Sequence, residues 1–295
     1  MNISTIFNQF KLPKQTGLTV HLRLGDAHIG DAHIGDADKT VNIVNTSKKN
    51  SAPFEQTGNN QTSTDDYNWQ SALDALNIKL ALIDAKPNTP LRVVLSSDFV
   101  RYLLLPAQAV NLSHVEKNAY AKAAFRQLHG LKLVNLLIKF DDSAPNQATL
   151  LAAIDQQLHS SLVQIAAEHN LILLSVKPYL TQVFNGLHRS LKLFTGYLAI
   201  IEGTKILLLN IKNAHIDLLK SQLINDDWQI ELNQLLDREQ TLGHVNSNEI
   251  IICAPQHQLK LAFAKKGWQI NLIDQKNQAF EFLPNKAINN FRVSA

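Results

Sequence analysis

The order hairpin, helix, strand, helix, strand can be read twice along this chain, once from Leu91 and again from Gly196. Each strand in that reading is a short apolar run bounded by turn formers. Each helix is a stretch whose apolar residues recur every three or four positions. Strands alternating with helices fold as α/β layers, because a sheet face and a helix stripe must each be buried against another element. The two passages share element order and no visible residue-level repeat. The full length of 295 residues is enough for about two domains at roughly 150 residues each.

Before the doubled order lies an irregular polar region to about residue 66. Residues 17–24 alternate as a strand does, with Leu18, Val20, Leu22 and Leu24 on one face. A tandem repeat follows: Gly25-Asp-Ala-His-Ile29, Gly30-Asp-Ala-His-Ile34 and Gly35-Asp-Ala-Asp38. Residues 41–44 read as a second strand. Residues 45–66, rich in Ser, Thr, Asn, Gln and Lys, offer little to bury and read as a mobile loop.

From Tyr67 the pattern sharpens. Asp65 or Asp66 is placed to cap a helix carrying Trp69, Leu73, Leu76, Leu80 and Ile83, which 86–90 stops. Residues 91–95 predict a buried strand, and 99–105 its hairpin partner across Ser96-Ser97-Asp98. A helix over 113–129 has Ser113 and Glu116 at capping-box spacing, with Gly130 placed to end it. A strand over 131–140 follows. Residues 148–169 predict one long helix, striped by Leu151, Ile154, Leu158, Leu162 and Ile165. Then come a strand over 171–176, a helix through Val183 and Leu187, and a hairpin of 196–201 and 205–211 across Glu202-Gly203-Thr204. Helices over 215–223 and 228–242, a strand over 249–253, a helix over 256–265 and a strand over 268–273 complete the reading.

Composition excludes several classes. Lys plus Arg number 28 and Asp plus Glu 25, a net charge of +3, which lacks the strong positive field of sequence-independent nucleic-acid binding. Hydrophobic residues at 45% allow a sizeable core, while charged residues reach only 18%. The lone Cys253 excludes an intrachain disulfide and a cysteine-only zinc site, and its place after Ile250, Ile251 and Ile252 makes it a small core residue. The first 13 residues lack the basic start and apolar core of a signal peptide. No run approaches the roughly 18 apolar residues of a membrane span. The expected compartment is the cytoplasm, with a peripheral seat on a membrane left open through a protein partner.

The search for chemistry returns mostly absences. The repeat gathers Asp26, His28, Asp31, His33, Asp36 and Asp38, but a period of five matches neither strand nor helix geometry. It reads as a duplication tolerated in a surface loop, and no metal is assigned. His114, His129, His159, His169, His188, His215, His244 and His257 stand singly at helix ends or surfaces. Neither a Gly-x-x-x-x-Gly-Lys-[Ser/Thr] nor a Gly-x-Gly-x-x-Gly phosphate loop occurs, nor a Gly-x-Ser-x-Gly elbow or His-Glu-x-x-His pair. Glu202-Gly203-Thr204 is first of all a hairpin turn. Asp141 and Asp142 point to opposite faces and read as a solvated loop start. Arg101 and Tyr102 interrupt an apolar strand, and Tyr120, Lys122 and Arg126 share a helix. Arg101 reads as an edge charge reaching water, or as a pin for a partner. No catalytic, cofactor-binding or metal-binding residue is assigned, and no cofactor is expected.

Residues 93–106, 115–130 and 196–209, taken with the order of elements over 67–275, resemble the actin-like cytoplasmic proteins of type IV pilus and type II secretion assembly, the PilM and GspL families. The resemblance implies an α/β, actin-like (ribonuclease-H-like) fold of two subdomains with mixed sheets and a loosely ordered N-terminal region. Residues 1–66 and 67–178 would form the first subdomain and 179–295 the second. It implies a non-catalytic cytoplasmic scaffold whose partners are an inner-membrane assembly component and an assembly ATPase, with a homodimer also compatible. Nucleotide-binding actin-like proteins carry an Asp-x-Gly-x-[Thr/Ser] loop after the first strand of each half. Leu24-Gly25-Asp26-Ala27-His28 and Phe194-Thr195-Gly196-Tyr197 keep neither. Two other readings stay open: a nucleotide-binding, ATPase-like protein with degenerate loops around Gly25 and Gly203, and a metal-binding protein using the repeat.

Overall fold

The computed structural model describes residues 17–23, 26–31, 69–107, 112–129, 135–141, 146–213, 215–225, 227–243, 247–255, 263–276 and 279–282. Along the first half run β1 (Leu18–Arg23), β2 (Asp26–Asp31), α1 (Gln70–Ala81), β3 (Thr89–Leu95), β4 (Arg101–Leu105), α2 (His114–His129), β5 (Leu136–Phe140), β6 (Thr149–Asp155), α3 (Gln156–Glu168) and β7 (Leu171–Pro178). β1 pairs antiparallel with β2 and parallel with β3, and β3 pairs parallel with β7, giving the sheet order β2-β1-β3-β7. The alternation of β1 sends Leu18, Val20 and Leu22 to one face, where α1 and α3 cover them with Leu73, Leu76, Leu80, Leu158 and Leu162. At the start of α3 the Asp155 carboxylate accepts a hydrogen bond from the Gln157 amide at 2.6 Å, satisfying a first-turn donor.

Between β3 and α3 the chain inserts a separate antiparallel sheet of order β4-β6-β5. One face of it packs under α2 through Ala121 and Phe125. The capping box of α2 forms as its spacing predicts. Ser113 N and Oγ donate to Glu116 Oε2 at 2.8 and 2.7 Å, and Glu116 N donates to Ser113 Oγ at 3.3 Å.

The second half comprises α4 (Tyr179–Gly186), α5 (His188–Leu191), β8 (Thr195–Glu202), β9 (Lys205–Lys212), β10 (His215–Leu223), α6 (Trp228–Thr241), β11 (Glu249–Cys253), β12 (Gln269–Lys276) and β13 (Ala279–Phe282). Its sheet has the order β10-β9-β8-β11-β12-β13, an antiparallel meander joined to parallel strands. β8 is buried on both sides, which is why its sequence is a nearly unbroken apolar run. Tyr197, Ala199 and Ile201 face α6. Leu198 and Ile200 face α4 and α5, in a core that also takes Val94 from β3 and Leu150 from β6. α4 therefore stands in apolar contact with both halves. No helix among the described residues is long and apolar enough to cross a membrane.

Several expectations are corrected. Residues 99–105 do not form a hairpin with 91–95: both edges of β3 are taken by β1 and β7, and β4 pairs with β6 instead. The doubled order therefore does not begin with a hairpin at Leu91; the first half opens on the hairpin β1–β2, ahead of that point. The long helix over 148–169 is β6 followed by α3, and 215–223 is the strand β10. Residues 26–29 of the first copy of the repeat, with Gly30 and Asp31 of the second, are not loop but β2. Asp141 is not solvated; it is 5% exposed and its amide donates to Leu150 O. α1 begins at Trp69 without a side-chain cap. Asp65, Asp66, the strand over 41–44, the loop over 45–66 and residues 256–262 lie outside the described residues.

Phe184 is 1% exposed in the core shared by the two halves. Phe184→Ala is expected to lower stability by about 3–5 kcal/mol, read as a fall in the denaturant midpoint.

Candidate functional site

Where the two halves meet, two turns touch. The first follows β3, where Ser96, Ser97 and Asp98 end a strand buried on both faces. The second joins β8 to β9 through Gly203 and Thr204. Ser96, Ser97, Asp98 and Glu202 are each at most 3% exposed, so their polar atoms need partners inside the protein. The Ser96 amide donates to Leu22 O at 2.9 Å, which ties the first turn to β1. Ser96 Oγ donates to Asp98 Oδ2 at 3.1 Å.

Across the junction the bonds are reciprocal. From the first half, Ser97 N and Oγ donate to Glu202 Oε2 at 2.9 and 3.1 Å. From the second, Thr204 N and Oγ1 donate to Asp98 Oδ1 at 3.3 and 2.9 Å. Lys205 Nζ adds a bond to Ser97 O at 3.3 Å. Each half thus gives one backbone amide and one hydroxyl to a carboxylate of the other. Gly203 makes the approach feasible: its φ is +57°, and a Cβ there would collide with the Asp98 carboxylate.

The electrostatics follow from burial. Glu202 is pushed up to about 7, chiefly by burial and further by Asp98, against the lowering effects of the Ser97 amide, Arg23 and the Ser97 hydroxyl. Tyr102, on β4, is held well above the usual phenol range by burial first and by Glu202 second. Tyr179, at the start of α4, is raised by burial and then by Cys253, whose Sγ lies 3.6 Å from its hydroxyl. Cys253 is buried, as its sequence context predicts.

Ser97, Thr204, Asp98 and Glu202 are bonded to one another across the junction, and beside them the buried Tyr102 hydroxyl and Arg23 Nε have no hydrogen-bond partner among the described residues. Of the two loops named for a degenerate nucleotide site, Gly25 lies outside the described residues and Gly203 is covered by Asp98. Among the described residues no three His, Cys, Asp or Glu side chains come together to hold a metal. An open groove lies elsewhere, beside α1 and α3, lined by Trp69, Asn135, Gln156, Gln157, Ser160, Ser161 and Gln164, none of them titratable. Arg101 is half-buried on β4, while Tyr120, Lys122 and Arg126 are exposed on α2. They do not join the junction. Sequence reading passed over Ser97, Asp98, Glu202 and Thr204 as ordinary turn residues. The available signal was an acid at or just after the end of each of two largely apolar strands, a costly place for a charge without a partner.

No protein-family model and no curated protein matches the sequence. Among solved structures, a Bacteroides thetaiotaomicron protein of unknown function with an actin-like ATPase fold aligns at a TM-score of 0.53 and 14% identity, covering 86% of each chain. The cytoplasmic domain of EpsL, an inner membrane component of the type II secretion system of Vibrio cholerae, aligns at 0.46 and 11% identity, over 90% of this chain and 91% of that one. The PilM-PilN type IV pilus biogenesis complex aligns at 0.49 and 10% identity, over 84% of each chain. Identities this low speak of fold alone, and the fold is actin-like, α/β with mixed sheets.

Two measurements check the junction. Gly203→Ala is expected to cost about 2 kcal/mol or more, from left-handed backbone strain and displacement of Asp98, seen in urea unfolding. Glu202 binds its proton more tightly when folded than the ordinary value near 4.5. Its stabilising contribution is therefore fully present below pH ~4.5 and is lost as pH rises through about 7. Relative to Glu202→Gln, the wild type is expected to lose about 3 kcal/mol between pH 4.5 and 8.

Proposed function

We propose that this chain is a cytoplasmic actin-like scaffold that binds protein partners in an envelope assembly machine and works without hydrolysing nucleotide. The observation that carries the second part is the occupied junction. Phosphoryl transfer is mostly positioning and charge stabilisation, so it needs donors free to reach the phosphates. The amide and hydroxyl of Thr204 are instead spent on Asp98, and those of Ser97 on Glu202. The two buried carboxylates would also repel a polyphosphate brought between them.

The scaffold part is supported by the sequence resemblance to the PilM and GspL families over 67–275, by the actin-like fold and by the near-neutral charge. On that reading the partners are an inner-membrane component and an assembly ATPase, and the protein sits at the membrane only through the former. We also infer that the subdomains divide near Pro178, so that α4 opens the second.

Titration calorimetry with magnesium and ATP tests the claim. The expected result is no heat of binding up to millimolar nucleotide. Tight magnesium-dependent binding would replace this reading with the nucleotide-binding alternative.

A further inference from the structure

The repeat that follows β1 holds the same six residues twice. Asp26-Ala-His-Ile-Gly-Asp31 is β2, and Asp31-Ala-His-Ile-Gly-Asp36 repeats it without a change, the two sharing Asp31. β2 pairs antiparallel with β1, with Val20 opposite Ile29, His21 opposite His28 and Arg23 opposite Asp26. Register is ordinarily set by pattern, because a slip by an odd number of residues carries every side chain to the wrong face. A slip of five along this repeat has no such penalty. It puts Asp31, His33 and Ile34 where Asp26, His28 and Ile29 stood, and every residue of β1 meets the same residue type as before.

The cross-strand pairs that stabilise the ladder are therefore alike in the two registers. A second slip is closed off, since it would set Asp38 opposite His21 and Lys39 opposite the fully buried Val20. β2 lies at the end of its sheet, order β2-β1-β3-β7, so among the described strands a slip breaks its pairing with β1 alone.

What differs is the connection. With Arg23 paired to Asp26, two residues, Leu24-Gly25, join the strands; with Arg23 paired to Asp31, the seven residues 24–30 do. Closing the longer connection disfavours the second register about sixfold. Leu24-Gly25 has neither the Asn-Gly pair nor the leading glycine that two-residue hairpin turns prefer, which narrows the gap. The chain from residue 32 to the start of α1 at Gln70 is long enough to give up five residues at little cost.

We propose that the β1–β2 hairpin is a two-register element, in which the second copy of the repeat replaces the first against β1 and five residues pass into the connection after Arg23. The longer connection emerges where the halves meet. Leu22 O accepts from the Ser96 amide at 2.9 Å, so this end of β1 adjoins the first turn of the junction. The second register thus sets a loop carrying Asp26 and His28 beside the junction. A partner would have to prefer that loop about fortyfold to invert a sixfold ratio.

Urea unfolding of four full-length proteins tests this: the wild type, Ile29→Lys, Ile34→Lys and the double variant. A lysine at 29 stands opposite the buried Val20 in the observed register, and a lysine at 34 does so in the other. Ile34→Lys alone is expected to leave the midpoint within error of the wild type. Ile29→Lys should lower it by less than about half of the fall in the double variant, because the second register takes over. The effect of Ile34→Lys then shows only when Ile29 is already replaced, a coupling that a single register does not produce. In isoleucine methyl spectra of Ile29→Lys, the Ile34 signal should move to the position that Ile29 holds in the wild type. A fall in Ile29→Lys as large as in the double variant, loss of folding included, overturns the proposal. So do equal falls in the two single variants, no fall in the double variant, or an Ile34 methyl that stays in place. No nucleotide or partner enters these measurements, so this inference and the scaffold reading fail separately.

Discussion

Two carboxylates buried where the halves meet are tolerable only because each is served by the opposite half. Ser97 serves Glu202, and Thr204 serves Asp98. A hydrogen bond to a charged group contributes about 1.5–3 kcal/mol, and a buried acid stripped of its donors costs more. Opening the junction therefore requires water to enter at both acids together. Apolar packing also holds the halves together, with Val94 of β3 and Leu150 of β6 in one core with Leu180, Val183 and Phe184 of α4. The reciprocal bonds fix which turn meets which. Apolar contact alone is non-directional and would leave that register loose.

That constraint orders what the fold can do. Gly203 has the positive φ and the missing side chain that let a backbone turn come close to an anion. The anion that arrives is the protein's own Asp98. Glu202, pushed up to about 7, is shared between its neutral and charged forms near neutrality, so the junction tightens in mild acid and relaxes in mild base. The groups facing it are Asp98, Arg23, Tyr102, Tyr179 and, through Ser97, Lys205. On the scaffold reading proposed above, partners meet the outer surfaces and edges, away from the junction.

How much was legible in the sequence depends on whether one element's pattern could be mistaken for another's. β8, β9 and α6 were legible because turn formers bracket clean patterns, and α2 because Ser113 and Glu116 form a specific local pair. β6 was misread because both of its faces are buried. Leu151 and Ala153 face α2 while Ala152 and Ile154 face the first core, so the run is apolar throughout and period alone cannot separate strand from helix. β10 was misread because of a register shift between Ile216 and Leu218. The extra residue brings Ile216 and Leu219, three apart, to the same core, which imitates helical spacing. The junction was not legible at all, since Ser97 and Glu202 lie 105 residues apart and nothing local marks them as partners.

Closure of the junction in solution is read directly by amide hydrogen exchange at Ser97 and Thr204. Both amides donate to carboxylates of the opposite half, so a closed junction protects them to the level of the β8 amides in the shared core. That protection is expected at mildly acidic pH, with faster exchange at Ser97 as Glu202 ionises. Free exchange of both amides while β8 stays protected would mean that the halves stand apart there. The turn would then be available to a ligand, and the sealed-scaffold account would be wrong.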